Sequence, residues 1–200
     1  MAVSASSAFP VLVGEPGLRP ARLRVQCWPL DPRLPWVPSR LRPTVAVGEV
    51  AVRSDVLRIL RLGPGEWQVI GDVLAVDALA GELSAAGMAP GAAGTVPDAA
   101  GTVPGDDPGN ATVSVTVVTD AWQSLSVSGR AARDVLAKGC SIDLHPLRFG
   151  VRRATRTRLA GIAAVLECTD ALDRFALHVA SSYRDYLKSW LDDAVLEYGF

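Results

Sequence analysis

A stretch of small residues, prolines and acids near the middle of the chain sets the main limit on how it folds. Residues 88–110 read MAPGAAGTVPDAAGTVPGDDPGN and contain the near-tandem pair AAGTVPD and AAGTVPG. Such a composition cannot bury enough apolar surface to offset the entropy of ordering the chain. We therefore expect a disordered Ala/Gly/Pro loop at 88–110, with a strand-and-helix half-unit on each side of it.

The size and charge of the chain favour a folded domain that has no general attraction to polyanions. The chain has 200 residues, of which 49% are hydrophobic, and this is enough to bury a substantial core. Its 20 basic and 21 acidic residues leave a formal net charge of −1. Because nucleic-acid binding rests on an excess of positive charge, we expect no nucleic-acid partner.

The cysteine pattern and the hydropathy favour a cytoplasmic protein. Cys27, Cys140 and Cys168 lie far apart and form no Cys-x-x-Cys pair, so neither a disulfide framework nor a zinc site is indicated. The start of the sequence has no positive charge ahead of its short apolar stretch, which argues against a secretory signal. No apolar run approaches the roughly 20 residues that a membrane-spanning helix needs, so we expect no membrane partner.

The first 44 residues are predicted to be an extension rather than part of the core. Residues 21–27 alternate and are compatible with an edge strand, but five prolines between residues 29 and 43 exclude regular structure. We therefore expect a Pro/Arg-rich N-terminal extension at 1–44. Residues 45–200 are expected to form a single α+β domain that is interrupted by the loop at 88–110.

Each half-unit of this domain combines strands with a helix. In the first, the two-residue period predicts strands at 45–53 and 56–62, a turn at 63–67, and a helix at 73–87 that is capped by Asp72. In the second, strands are predicted at the following ranges: 112–118, 123–129, 151–162, 163–169 and 173–180.

Two helices are predicted in the second half-unit. Ser128 is placed to cap a short helix that ends at Gly139. The chain closes with a long amphipathic helix, and Ser182 and Asp185 have the spacing of a capping box at its start. The apolar stripe of this closing helix consists of Tyr183, Tyr186, Leu187, Trp190, Leu191, Ala194, Val195 and Tyr198.

A catalytic cysteine is the first chemical hypothesis to weigh. Asp143 and His145 follow Cys140 closely enough to suggest a nucleophile with its base. The partner histidine of such a dyad is usually distant in sequence, and a cysteine after a helix stop is well suited to be a small buried hydrophobe. The structural interpretation is therefore preferred. His178 alternates with Phe175 and Leu177, so we expect it on the solvent or partner side of a strand.

Nucleotide, metal and hydrolase motifs are incomplete in this sequence. The Gly-x-Gly at residues 63–65 lacks the third glycine of a dinucleotide fingerprint and is followed by strand character instead of a helix. There is no phosphate-binding loop, no His-Glu-x-x-His pair and no Gly-x-Ser-x-Gly elbow. We therefore predict no catalytic, cofactor-binding or metal-binding residues in this chain.

Two segments together resemble a known family. They are LGPGEW at 62–67 and SGRAARDVLAKGCSIDLHPLRFG at 128–150, followed by a Ser-Tyr-x-x-Tyr-Leu-x-x-Trp-Leu helix. This set resembles the gamma subunit of heterotetrameric sarcosine oxidase. The signature residues that we single out are Gly63, Pro64, Glu66, Trp67, Gly129, Lys138, Gly139, Cys140, Asp143, Leu144 and Trp190.

The resemblance implies both a fold and a role. The fold is α+β and resembles the folate-binding domain of aminomethyltransferases, with two strand-and-helix half-units, sheets rich in antiparallel pairs and a long C-terminal amphipathic helix. The role is that of a non-catalytic structural subunit of a flavin-dependent complex that oxidatively demethylates sarcosine or a related N-methyl or secondary amine. The main contact would be with the alpha subunit, and the beta and delta subunits would complete the heterotetramer.

The resemblance also implies where the cofactors lie. FAD, FMN and NAD are expected on the alpha and beta subunits, zinc on the delta subunit, and tetrahydrofolate on alpha. Trp28, Trp36 and Arg40 are our candidate partner contacts, because aromatic residues and arginine are enriched at interfaces. An alternative is a stand-alone folate-binding protein of the aminomethyltransferase or iron-sulfur-maintenance type, although only Lys138-Gly139-Cys140 agrees with the motif of the latter.

Overall fold

The computed structural model describes residues 11–14, 20–28, 47–54, 57–85 and 112–198. The chain divides into two compact units. The N-terminal unit is formed by residues 20–119, and the C-terminal unit combines residues 1–19 with 120–200. Each unit contains one five-stranded antiparallel sheet.

The sheet of the N-terminal unit has the strand order β3-β4-β5-β2-β6. One helix, α1, accompanies it and spans Val73–Ala85. The strands are β2 (Ala21–Trp28), β3 (Val50–Ser54), β4 (Leu57–Gly63), β5 (Glu66–Gly71) and β6 (Thr112–Val117).

Alternation along these strands builds the core of the N-terminal unit. Leu23 and Val25 of β2 are fully buried, and they pack with Val69 of β5 and Val115 of β6. Helix α1 closes this face, because its apolar stripe at helical spacing contributes buried side chains to the same cluster. The α1 members of the cluster are Val76, Leu79 and Leu83.

The sheet of the C-terminal unit has the strand order β1-β7-β10-β9-β8. Its strands are β1 (Leu12–Gly14), β7 (Trp122–Ser128), β8 (Arg153–Leu159), β9 (Ile162–Asp170) and β10 (Arg174–Ala180). Its helices are α2 (Ala132–Ala137) and α3 (Arg184–Ala194), with short 3-10 turns at Ser181–Tyr183 and Leu196–Tyr198.

Both helices of the C-terminal unit pack on one face of its sheet. Leu136 of α2 and Leu187 and Leu191 of α3 are fully buried in a cluster with sheet residues such as Leu177 and Phe175. The buried part of the predicted apolar stripe therefore packs on the core as expected. Tyr183 and Tyr186, at the start of the stripe, are about half exposed. The α+β architecture with two antiparallel sheets and a C-terminal amphipathic helix confirms the predicted fold class.

The division between the two units differs from the predicted half-units. The structure puts β6, which follows the 88–110 segment, in the sheet of the N-terminal unit, where it pairs with β2. It puts β1 in the sheet of the C-terminal unit, where it pairs with β7. Both assignments depend on pairing between strands that are distant in the chain, and the periodicity of a strand does not report its partner.

The part of the predicted extension that the structure describes is paired in the sheets. The sequence suggested an edge strand at residues 21–27. This prediction is wrong, because β2 lies between β5 and β6. Its alternation arises from burial of Leu23 and Val25 on the core face. The proline-rich remainder of the extension and the 88–110 segment lie outside the described residues.

Two predicted helix caps are wrong and one is confirmed. Asp72 Oδ1 accepts a hydrogen bond from the N–H of Leu74 at 2.9 Å, as predicted for the start of α1. Ser128 is the last residue of β7, and the residue that precedes α2 is Ala131, which makes no side-chain cap bond. Tyr183 precedes α3, because a 3-10 turn occupies the position of the expected capping box at Ser182.

Candidate functional site

The first signature segment is a tight hairpin turn between β4 and β5. Gly65 has φ +64°, a conformation that glycine adopts without strain, and Pro64 beside it is exposed. A Cβ on Gly63 would meet only Glu66 at 3.9 Å, so Gly63 is under no steric demand here. The turn therefore matches the sequence prediction and ends the pairing of β4 with β5.

Glu66 and Trp67 join this hairpin to the rest of the N-terminal unit. Glu66 Oε1 accepts hydrogen bonds from Nε and Nη2 of Arg24 on β2, at 3.2 and 3.0 Å. Such a two-nitrogen contact fixes the orientation of both side chains better than a single-point ion pair. Trp67 is 3% exposed and belongs to the core against α1. Both signature residues thus have structural contacts.

The second signature segment begins with a glycine that the backbone requires. Gly129 has φ +125°, a region that side chains disfavour strongly, and its carbonyl accepts the N–H of Ala132 at 3.0 Å. This turn redirects the chain from β7 into α2. Gly129 can therefore be explained by its conformation alone.

Lys138, at the end of α2, contacts the carboxyl-terminal end of α3 and the turn that follows it. Its Nζ donates to the carbonyl oxygen of Ala194 at 2.8 Å and forms an ion pair with Glu197 Oε2 at 2.8 Å. The same ammonium lies 4.8 Å from the centre of the Tyr198 ring. Carbonyl groups at a helix C-terminus lack intrahelical partners and carry partial negative charge, so a cation is well placed there.

Gly139 is needed for space rather than as a helix stop. A Cβ at this position would lie 2.7 and 2.8 Å from Cζ2 and Cη2 of Trp190, and 3.0 Å from the backbone nitrogen of Ala160. Its φ is not among the positive values found for four other glycines of the described residues. The prediction of Gly139 at the end of α2 holds in position, but the reason is close packing of the indole of α3.

Cys140, Asp143 and His145 do not form a nucleophile and base. The thiol of Cys140 lies 3.4 Å from the hydroxyl of Thr157 on β8. Asp143 Oδ1 accepts the backbone N–H of His145 at 2.9 Å, and His145 Nδ1 accepts the N–H of Leu147 at 3.3 Å. Both bonds are local turn contacts of the kind that Asx turns make.

Leu144 and Arg133 organise the loop that follows. The Leu144 side chain is buried in the core, and its carbonyl accepts a hydrogen bond from Nη1 of Arg133. The same nitrogen donates to the carbonyl of Phe149 at 3.0 Å, and Arg133 Nε contacts Asp173 Oδ1 at 2.6 Å. Arg133 also lies 5.0 Å above the Phe175 ring. One guanidinium thus connects α2, the loop 141–152 and the turn between β9 and β10.

No sequence pattern indicated this role for Arg133, which is one of several charged residues in the predicted helix. Its spacing to Asp173, forty positions away, carries no periodic signal.

A buried polar array lies on the other face of the same sheet. His178 is fully buried, which corrects the expected solvent-side or partner-side position. Its Nε2 lies 3.2 Å from Glu167 Oε2, and its Nδ1 lies 3.0 Å from Ser124 Oγ. His178 points to the face of β10 opposite to Phe175 and Leu177, as the alternation predicted. The pattern does not show whether that second face is buried or exposed.

Cys168 is a buried free thiol in the core of the C-terminal unit. Desolvation raises the pKa of this thiol above its usual value, and the charge of Arg133 partly offsets the effect. The thiol donates a long hydrogen bond of 3.6 Å to the carbonyl of Asp170. A raised thiol pKa disfavours the nucleophilic thiolate, so this cysteine has the character of a packing residue.

The candidate partner contacts lie at the end of β2 and in the segment that follows it. Trp28 is the last residue of β2, and its side chain is not among those described. Trp36 and Arg40 lie outside the described residues.

Across the described ranges, no group of three or more His, Cys, Asp and Glu side chains could hold a metal ion. Within the same ranges, no helix is both long and apolar enough to cross a membrane.

Comparison with known proteins relates the sequence to one family. A model of the sarcosine oxidase gamma subunit family matches residues 106–197. The chain is 36% identical over 152 residues to sarcosine oxidase subunit gamma of Arthrobacter sp, covering 76% of this chain. It is 35% identical over 152 residues to the subunit gamma of Corynebacterium sp. (strain P-1). The chain spans 63% of the length of each of these curated relatives.

Solved structures relate the fold to two proteins. The chain superimposes on aminomethyltransferase T of the glycine cleavage system from Bartonella henselae with a TM-score of 0.58 at 11% identity, covering 93% of this chain and 47% of that one. It matches a chain of heterotetrameric sarcosine oxidase from Corynebacterium sp. U-96, in complex with pyrrole 2-carboxylate, with a TM-score of 0.71 at 26% identity. That match covers 94% of this chain and 85% of the other.

The matches relate the chain first to a fold and then to a family of subunits. The fold is that of aminomethyltransferases with their folate-binding domain, in agreement with the two antiparallel sheets. Within that fold, the sequence is similar to sarcosine oxidase gamma subunits, in agreement with the resemblance predicted from the sequence. The stand-alone folate-binding alternative is not favoured, because the likeness to the aminomethyltransferase is one of fold alone.

Proposed function

We propose that this chain is the structural gamma subunit of a heterotetrameric, flavin-dependent oxidase, and that it contributes no catalytic group of its own. Sequence similarity is the observation that carries the proposal, since relatives with 36% and 35% identity are named as gamma subunits of sarcosine oxidase. The contacts of the signature residues support it. Lys138 and Gly139 hold α3 against α2, and Asp143 and Leu144 shape a loop.

The substrate in this proposal is sarcosine or a related N-methyl or secondary amine. The complex oxidatively demethylates the amine, and electrons removed from it pass to flavin. FAD, FMN and NAD belong to the alpha and beta subunits, zinc belongs to delta, and tetrahydrofolate accepts the one-carbon unit on alpha. The gamma subunit packs mainly on alpha, and it acts by stabilising the assembled complex.

Omission and restoration of the chain test this function. The alpha, beta and delta subunits of the same organism are coexpressed with and without this chain, and sarcosine-dependent oxygen consumption is measured for equal amounts of bound flavin. We expect the three-subunit preparation to be unstable or poorly active, and the complete set to be stable and active. Full activity and full thermal stability without this chain would contradict the proposal.

A second measurement separates the structural role from folate binding. Calorimetry of the purified chain with tetrahydrofolate is expected to give no heat of binding at micromolar concentrations. Saturable micromolar binding to the chain alone would favour a folate-dependent activity instead.

A further inference from the structure

Two neighbouring loops of the C-terminal unit expose large apolar side chains. Leu147 is 89% exposed in the loop between α2 and β8, and Leu172 is 78% exposed in the turn between β9 and β10. Val151, near the end of the first loop, is 46% exposed. We call Leu147, Val151 and Leu172 the loop surface. Large apolar side chains exposed on adjoining loops are candidates for a surface that another protein covers.

Arg133 brings the two loops together and holds them in place. Its guanidinium bonds to carbonyls of Leu144 and Phe149 in the first loop and to Asp173 in the second. The rings of Phe149 and Phe175 stack beneath, with centroids 6.5 Å apart. These contacts fix the backbone on both sides of Leu147 and immediately after Leu172.

Local hydrogen bonds order each loop further. The N–H groups of Arg148 and Phe149 both donate to the carbonyl of His145, at 2.8 Å each. In the second loop, Asp170 Oδ1 accepts the N–H of Leu172 at 2.9 Å. The exposed leucines are therefore presented by fixed turns. A partner that binds them has little loop entropy to remove, which favours association.

The charged residues beside the loop surface are mostly basic. Arg148 and Arg152 flank Leu147 and Val151, and Arg174 follows the second turn; all three are exposed. Among the nearby acids, Asp173 pairs with Arg133, and Asp143 and Asp170 accept backbone N–H bonds within the loops. An apolar centre with an arginine rim is an arrangement that protein interfaces favour.

We propose that the loop surface is the docking site for an apolar patch with acidic surroundings on the flavin-bearing subunits of the oxidase. The inference rests on the proposed function and names the part of the chain that makes the contact. A second copy of this chain fits less well. A two-fold contact would place the same arginine rims against each other, and like charges facing across an interface oppose binding.

The test measures binding of the full chain to separately purified flavin-bearing subunits. Leu147→Asp and Leu172→Asp are each expected to weaken binding at least tenfold, because a carboxylate would be buried among apolar and acidic groups. Arg148→Glu is expected to slow association, and its effect should shrink at high salt. Leu74→Asp is the matched control, since Leu74 is 79% exposed on α1 in the other unit, and it should leave binding unchanged.

The outcomes separate this inference from the proposed function. Melting temperatures of all variants are expected to match wild type, because the replaced side chains are exposed. If wild type binds and the loop variants bind equally well, the docking site is wrong and the proposed function stands. If wild type itself does not bind, both fall. A homodimer that Leu147→Asp dissociates would overturn the choice of partner.

Discussion

Gly139 and Trp190 are packed so closely that a Cβ on the glycine would lie 2.7 Å from the indole Cζ2. A real Cβ atom essentially never lies this close to another heavy atom, so an added methyl group would force the backbone or the indole to move. Both residues belong to the sequence signature, and they lie on the segment after α2 and on α3. The signature therefore records a packing contact between two parts of the C-terminal unit, not a pair of catalytic groups.

Gly139→Ala is expected to destabilise the chain by about 1–3 kcal/mol, because the added methyl overpacks the indole and the backbone of Ala160. Urea unfolding measures the loss. Trp190→Phe in the same background removes the contacted ring atoms and should recover part of it. Gly81→Ala is the control, since nothing lies within 4 Å of its Cβ position in α1, and it should stabilise by about 0.5–1 kcal/mol. Equal effects of the two substitutions would contradict the packing account.

Lys138→Met is expected to cost about 1–2 kcal/mol and to loosen the end of α3, since the variant loses the bond to the Ala194 carbonyl and the ion pair with Glu197. Hydrogen exchange of the amides at residues 191–195 should accelerate. Lys188→Met is the control, because it removes only a surface pair with Asp192 and should cost at most about 0.5 kcal/mol. Unchanged exchange in Lys138→Met would contradict a role for Lys138 in holding the end of α3.

Arg133→Leu is expected to release the loop 141–152 and to lower the free energy of unfolding by about 2–3 kcal/mol, as charge-assisted bonds to two carbonyls and to Asp173 are lost. Limited trypsin digestion should then cut faster after Arg148 and Arg152. Arg130→Leu, at an exposed position next to the same helix, should leave the cleavage rate unchanged. Slow cleavage in both variants would show that the loop is held by other contacts.

The stability of the chain is expected to depend on Cys168 at alkaline pH. Burial raises the pKa of this thiol in the folded protein above its usual 9.0, while the unfolded chain titrates near that value. The folded state therefore retains a proton that the unfolded state loses. The contribution is complete below about pH 9 and declines as the pH rises, by up to about 1.4 kcal/mol per pH unit.

Comparison with Cys168→Ala isolates that contribution. Free energies of unfolding measured from pH 8 to pH 10.5 should fall more steeply in wild type than in the variant, since all other groups are shared. Parallel curves across this range would mean that the thiol has no raised pKa.

Local features of the fold were predictable because they depend on neighbours in the chain. Asp72 caps α1 through the N–H of Leu74, two positions away, and Gly65 turns the chain within one hairpin. The stripe of α3 buries Leu187 and Leu191 because helical spacing alone puts them on one side. Such signals are contained in a window of a few residues.

Features that depend on distant residues were missed. The pairing of β6 with β2 joins residues on either side of three strands and a helix, and alternation is the same whichever sheet a strand joins. His178 was expected on the solvent or partner side of its strand, but Glu167 and Ser124 of neighbouring strands contact it in a buried array. The space that Gly139 leaves for Trp190 likewise has no local signal.

Native mass spectrometry of the coexpressed complex shows whether this chain is a subunit of the oxidase. The alpha, beta and delta subunits are produced with the full chain, and the intact assembly is weighed. We expect a flavin-containing assembly that carries one copy of this 21.1 kDa chain and loses that mass as a single subunit on dissociation. A flavin-containing complex without this chain, beside a stable monomer of the chain at its own mass, would contradict it.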